Sequence, residues 1–182
     1  MSQQKPTLFI IAGPLGAGKT TFYEAYLKEA FPRLVPPIRH QQQPFLNERR
    51  SFAVEDIRVD TQLLDEAKAA GYSTKVFFIS TEEANLNVGR VLVRMSRGGQ
   101  AAPPSSVIDS YRESTKNLSE VRKHTDDLLV YDNTAHRRGY RVVAHFVGGE
   151  LSKAAQTIPD WAASVFGKEL HPARQRAKPG RV

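Results

Sequence analysis

Nine consecutive residues, Gly13-Pro14-Leu15-Gly16-Ala17-Gly18-Lys19-Thr20-Thr21, carry the residue types needed to hold a polyphosphate. Two glycines flank four residues, and a lysine and a hydroxyl residue follow, which is the P-loop pattern. Glycines reach backbone angles closed to other residues and bring amide N–H groups close to phosphate oxygens. A helix opening at about Gly18 would turn the positive end of its dipole toward the anion. In such a cradle Lys19 bridges the outer phosphates and the Thr20 hydroxyl ligates Mg2+. Residues 13–21 are therefore expected to bind a nucleoside triphosphate with its metal.

Further polar groups fall where strands are expected to end. Glu55 and Asp56 close SFAVED (Ser51 to Asp56), and in open parallel sheets ligands collect at the carboxyl ends of strands. One of the two could position a substrate hydroxyl or accept its proton, and the other could hold Mg2+ through water. The alternative is that they cap the turn before the next helix. Asp132 and Asn133, ending LLVYDN, carry the same ambiguity on the nucleotide side. Arg90, Arg94 and Arg97 are spaced to lie close together on one helix. Phosphoryl transfer needs positive charge on the migrating group, and Arg90 or Arg94 can supply it. The five histidines are scattered and cysteine is absent, so no zinc site is expected.

The elements that must position these groups alternate between strand and helix. TLFIIA (Thr7 to Ala12) is a short apolar run stopped by Gly13-Pro14, as expected of a strand buried on both faces. Lys19 to Ala30 shows a helical stripe. SFAVED, KVFFIS, LLVYD and YRVVAHFV supply four more strands. Helices are expected after Thr61, from near Thr81 to Gly98, from Ser105 to His124, and from Ser152 to Phe166. The fold class is α/β: a P-loop NTPase or kinase fold with a five-stranded, mostly parallel sheet and helices on both faces. Phe31 to Arg50 holds four prolines and reads as a surface loop, with a short strand around Leu34 to Arg39.

At 182 residues the chain suits one domain, expected to span residues 1–167. Residues 168–182 carry net +4 of the whole chain's +7 and read as a frayed basic tail. That tail has no aromatic residue for base stacking, so nucleic acid is not the expected partner. No segment approaches a membrane span or a secretory leader, and the absence of cysteine fits a reducing cytosol.

From Leu8 to Val147 the sequence resembles the zeta-toxin family of small P-loop kinases. IIAGPLGAGKTTF, SFAVED, AKAAGY, RVLVRMSRGGQ, YRESTKNL and LLVYDN are similar in order and spacing to that family's successive segments. The resemblance implies transfer of the ATP γ-phosphate to a sugar hydroxyl, with UDP-N-acetylglucosamine as the substrate type. It also implies Mg2+ as cofactor and an antitoxin-like protein partner. Lys19 and Thr20 carry over, Glu55 matches the substrate-binding glutamate, and Arg90 or Arg94 matches the arginine that steadies the phosphates. The chain departs from the family at several places. No acidic residue occurs between Ala30 and Asn47, where the family places its catalytic aspartate, and His40 stands about there. A histidine can accept a proton near neutral pH. Positions often occupied by arginine hold Ser110 and Glu113, and Gln100 replaces the usual histidine. Two readings follow: an active kinase using Lys19, Glu55, Arg94 and His40, or an ATP-binding regulatory homologue with impaired catalysis.

Overall fold

Alternation along the first strand decides which layer each side chain joins. Leu8, Ile10 and Ala12 enter one core, whereas Phe9 and Ile11 enter the other, so both faces of this strand are covered. The computed structural model describes residues 5–135 and 139–176, with 171–176 by backbone alone. Its elements run β1 (Thr7–Ala12), α1 (Lys19–Tyr26), α2 (Arg39–Asn47), β2 (Phe52–Asp56), α3 (Thr61–Ala69), β3 (Ser73–Ser80) and α4 (Ala84–Ser96). There follow α5 (Pro104–Thr115), α6 (Leu118–His124), β4 (Asp127–Asp132), β5 (Arg141–Val147), β6 (Glu150–Ala154) and α7 (Asp160–Arg176). The strand order is β2-β1-β3-β4-β5-β6. The first four are parallel and β5 and β6 are antiparallel.

The larger core packs α3, α6 and α7 on the sheet through Leu63, Leu64, Val121, Trp161, Phe166 and their neighbours. The smaller core lies under α1, where Phe22 meets Phe77, Tyr131 and Tyr140 at ring-centroid distances of 5.1–5.3 Å. Each fully buried large side chain of this kind contributes about 1.5–3 kcal/mol. The strand order reverses at β1: β2 lies on one side of it and β3 on the other, both parallel to it. That switch point, at the carboxyl end of β1, is where Gly13 begins.

The mostly parallel α/β sheet matches the reading from sequence, with one more strand than the five expected. The sixth, β6, forms a hairpin with β5 around Gly148-Gly149. Both glycines have positive φ, 57° and 85°, as a two-residue hairpin turn of this hand requires. Ser152 therefore belongs to β6, and the closing helix begins at Asp160. The expected loop over residues 31–50 contains helix α2. Its prolines 36 and 37 precede the helix, only Pro44 lies inside it, and the buried Gln42 donates to the Pro36 carbonyl. Val35 does pair with Val54 in a single parallel bridge. The helix expected from Ser105 to His124 is two, broken at Lys116-Asn117, where Asn117 Nδ2 donates to the Val59 carbonyl.

α7 is kinked at Phe166, where the backbone is non-helical, and helix resumes beyond it to Arg176; residues 177–182 of the expected tail lie outside the described residues. Leu170 is in the core and Glu169 pairs with Arg122 at 3.0 Å. Leu170→Ala is expected to lose about 2–4 kcal/mol, lowering Tm by roughly 5–15 °C. An unchanged melting curve would show that the folded unit ends before this turn.

Candidate functional site

The site forms because β1 is followed by a residue that can accept no side chain. A Cβ on Gly13 would lie 1.9 Å from the Ile79 carbonyl oxygen of β3, so the chain turns off the sheet flush against its neighbour. Ala17 N–H donates to the Pro14 carbonyl and closes the turn. Gly18, with φ 101°, then starts α1 from a left-handed conformation. Among the described residues, the N–H groups of Gly16, Gly18, Lys19 and Thr20 find no acceptor. Four convergent donors at a helix N-terminus make an anion cradle.

Lys19 lies within this cradle. Its Nζ donates to the carbonyls of Gly13 (2.9 Å) and Pro14 (3.1 Å), and the residue is 6% exposed. Burial pulls its pKa below the ordinary lysine value; Glu55 and Asp56 oppose that fall, and Arg94 adds to it. In-register pairing explains the carboxylates: Glu55 stands beside Ile11 and Asp56 beside Ala12, the last residues of β1. Thr20 Oγ1 lies 3.3 Å from both Glu55 oxygens. A hydroxyl facing a carboxylate is a pair of hard oxygen ligands suited to Mg2+, which takes few protein ligands and completes its shell with water and phosphate. Among the described residues no cluster of three or more His, Asp or Glu could hold a metal.

The expected residues separate into those that meet and those that do not. Glu55 and Asp56 stand at the strand end beside the turn after β1, and Thr20 of the loop reaches Glu55, whereas Arg94 is exposed on α4. Arg90 lies on the far side of the cradle, where Nη2 donates to the carbonyls of Asn133 (2.8 Å) and Thr134 (3.3 Å). Burial lowers its pKa, with Tyr140 and Asp132 opposing. His40 is exposed in the first turn of α2, and among the described residues no hydrogen bond joins it to the loop, Glu55 or Asp56. Its neighbour Arg39 pairs instead with Glu66 and Asp60.

Three supports of the loop come from distant parts of the chain. Asn133 Nδ2 donates to the Ala17 carbonyl at 2.8 Å, and Tyr140 Oη donates to the Gly18 carbonyl at 2.7 Å. Ser110 Oγ accepts from Leu15 N–H at 3.0 Å. Of these, Asn133 carried a sequence signal through its place at a strand end. Tyr140 and Ser110 carried none.

Lys19 gives the site a measurable signature in the nucleotide-free protein. Its folded pKa is lowered, so the unfolded chain binds more protons, and stability rises with pH as the ordinary value of 10.5 is approached. At neutral pH the buried ammonium is a cost. Lys19→Met is expected to keep or raise Tm without ligand and to flatten that alkaline rise; a Tm drop of many degrees would contradict it.

No protein-family model and no curated protein matches the sequence. Solved structures do. A chain of the AvrRxo1-ORF1:-ORF2 complex with ATP superposes with TM-score 0.67 at 18% identity, covering 97% of this chain and 66% of that one. The AvrRxo1-ORF1:AvrRxo1-ORF2 complex with sulphate ions gives 0.66 at 17% identity, covering 91% and 63%. This chain thus spans just under two thirds of those chains. A chain of the PezAT chromosomal toxin-antitoxin system of Streptococcus pneumoniae gives 0.59 at 15% identity, covering 97% and 87%. The chain therefore shares the α/β fold of those chains.

Proposed function

We propose that this chain is an ATP- and Mg2+-dependent phosphotransferase that moves the γ-phosphate to a hydroxyl of a small acceptor. The observation that carries the reading is the loop itself: the amides of Gly16, Gly18, Lys19 and Thr20, at the start of α1, have no acceptor among the described residues, and the Lys19 ammonium of the same loop is held by two of its carbonyls. An anion entering the cradle gains those donors and offers Lys19 a charged partner. Residues 13–21 would hold the triphosphate, and the Thr20 hydroxyl would hold Mg2+. Bound ATP supplies an electrophilic γ-phosphorus and an ADP leaving group, and the metal neutralises charge between them.

The chain's own residues do the rest. Lys19 and Arg94 place positive charge at one end of the site. Glu55 and Asp56, at the end of β2, face the acceptor side; Glu55 is placed to orient the hydroxyl and take its proton. Positioning and charge neutralisation provide most of the catalysis in this chemistry, so the family aspartate is not indispensable. A nucleotide sugar is the acceptor class that the resemblance implies. An antitoxin-like partner is part of the same proposal, supported by the likeness to the PezAT chain. The cytosol, where ATP is available, is the compartment that suits it; no helix among the described residues is long and apolar enough to cross a membrane.

A second reading, nucleotide binding without transfer, is favoured by one observation: no acid lies between Ala30 and Asn47, where the family places its catalytic aspartate. Acceptor-dependent ADP release separates the two. Lys19→Ala or Arg94→Ala is expected to cost about 10²–10³-fold. Glu55→Gln should cost about 10²–10⁴-fold, and His40→Ala should leave the rate nearly unchanged. Equal turnover by wild type and Lys19→Ala would favour the non-catalytic reading, and a collapse on His40→Ala alone would move the base to α2.

A further inference from the structure

The peptide joining Pro14 to Leu15 is held at both ends. Its carbonyl accepts from Lys19 Nζ (3.1 Å) and from Ala17 N–H (3.2 Å), whereas its N–H donates to Ser110 Oγ of α5 at 3.0 Å. In a planar trans peptide these two groups point in opposite directions, so an acceptor on the N–H side dictates where the carbonyl faces. Ser110 is that acceptor. Its own proton is committed to the Val107 carbonyl at 2.7 Å, which leaves only lone pairs for Leu15, and the residue is 5% exposed.

The surroundings keep Ser110 and the loop tip in register. On the next residue of α5, Tyr111 Oη donates to the Thr81 carbonyl at 2.6 Å, with the Glu82 carbonyl 3.0 Å away. Burial pushes the pKa of that hydroxyl up to about 12, so it stays a donor at neutral pH. On the α4 side, a Cβ on Gly16 would lie 2.7 Å from the Asn87 carbonyl oxygen, which closes that direction to the tip. The motion left to the Pro14–Leu15 peptide is rotation. Rotation would take one of two carbonyls from the Lys19 ammonium and break the bond to Ser110.

We propose that Ser110 is a positioning residue of the nucleotide site: its hydroxyl fixes the Pro14–Leu15 peptide with the carbonyl toward Lys19, and so sets where the ammonium stands when a phosphoryl group migrates. This rests on the phosphotransferase reading. Without the hydroxyl the peptide is free to turn its N–H into the cradle, where it offers a bound nucleotide one more donor. Ground-state binding survives that exchange. The loss falls on the transition state, where charge on the migrating group needs the ammonium at a fixed point and a displacement of about 1 Å costs up to about 10²-fold.

Two measurements on the full chain test this. In nucleotide-free protein, amide exchange at Leu15 read by NMR should quicken about fivefold or more in Ser110→Ala, the loss of one hydrogen bond. Calorimetry then compares Mg·ADP with Mg·ADP plus aluminium fluoride, a mimic of the migrating phosphoryl group that needs no acceptor. Ser110→Ala should bind Mg·ADP within about threefold of wild type and the fluoride complex about tenfold or more weakly. Ser110→Thr, which keeps the oxygen, should regain the tight fluoride complex wherever it regains Leu15 protection. Equal weakening of both ligands in Ser110→Ala overturns the proposal, as does unchanged Leu15 exchange, or a threonine variant with protection restored and affinity not. Wild-type protein that binds Mg·ADP and gains nothing from aluminium fluoride overturns the phosphotransferase reading, and the role of Ser110 with it. A wild-type gain that Ser110→Ala retains in full overturns the role of Ser110 alone.

Discussion

A single ammonium group, held by the carbonyls of Gly13 and Pro14, organises the site. Burying it costs stability, and the fold sustains that cost with a ring of compensations: two carbonyls that accept from it and two carboxylates at the adjoining strand end. The sheet makes this arrangement possible. β1 sits between β2 and β3, so the turn after it is flanked by Ile79 on one side and by Glu55 and Asp56 on the other. The loop cannot move toward β3, because the Ile79 carbonyl already occupies the place a side chain would need.

The cradle has two unlike sides. On one, Arg90, Asn133 and Tyr140 form a polar strut from α4 and the β4–β5 connection to the carbonyls of Ala17 and Gly18. These groups hold the loop's shape through its oxygens and leave its N–H groups turned inward. On the other side lies a cleft lined by Asp56 to Thr61 with Glu113 and Asn117, joined to the loop where Gly13 N–H donates to the Ile57 carbonyl. Phosphoryl transfer needs this asymmetry, since the donor must be fixed through its charges while the acceptor is positioned through its hydroxyls.

The cradle was legible in the sequence because its information is local: a buried-strand pattern, glycines, then a helix carrying lysine and threonine within fourteen residues. Glu55 and Asp56 were legible as a strand end, although only the register of β2 on β1 shows that they stand beside this particular turn. Tyr140 and Ser110 were not, since each meets the loop across about a hundred residues of chain and nothing near it marks the contact. Helix α2 was hidden by prolines that lie mostly before it, and β6 by its polar, exposed face. His40 illustrates the limit of position by analogy. A place in the order of segments put it near the chemistry; in the structure its side chain is exposed, and its neighbour Arg39 is the residue that pairs, with Asp60 and Glu66.

Isothermal calorimetry of the full chain with Mg·ATP tests the central claim most directly. Saturable one-to-one binding, lost in Lys19→Ala and weakened when Mg2+ is withheld, is the result this geometry requires. No heat with wild-type protein, or equal affinity in the Lys19→Ala variant, would show that residues 13–21 form a glycine-rich turn and nothing more.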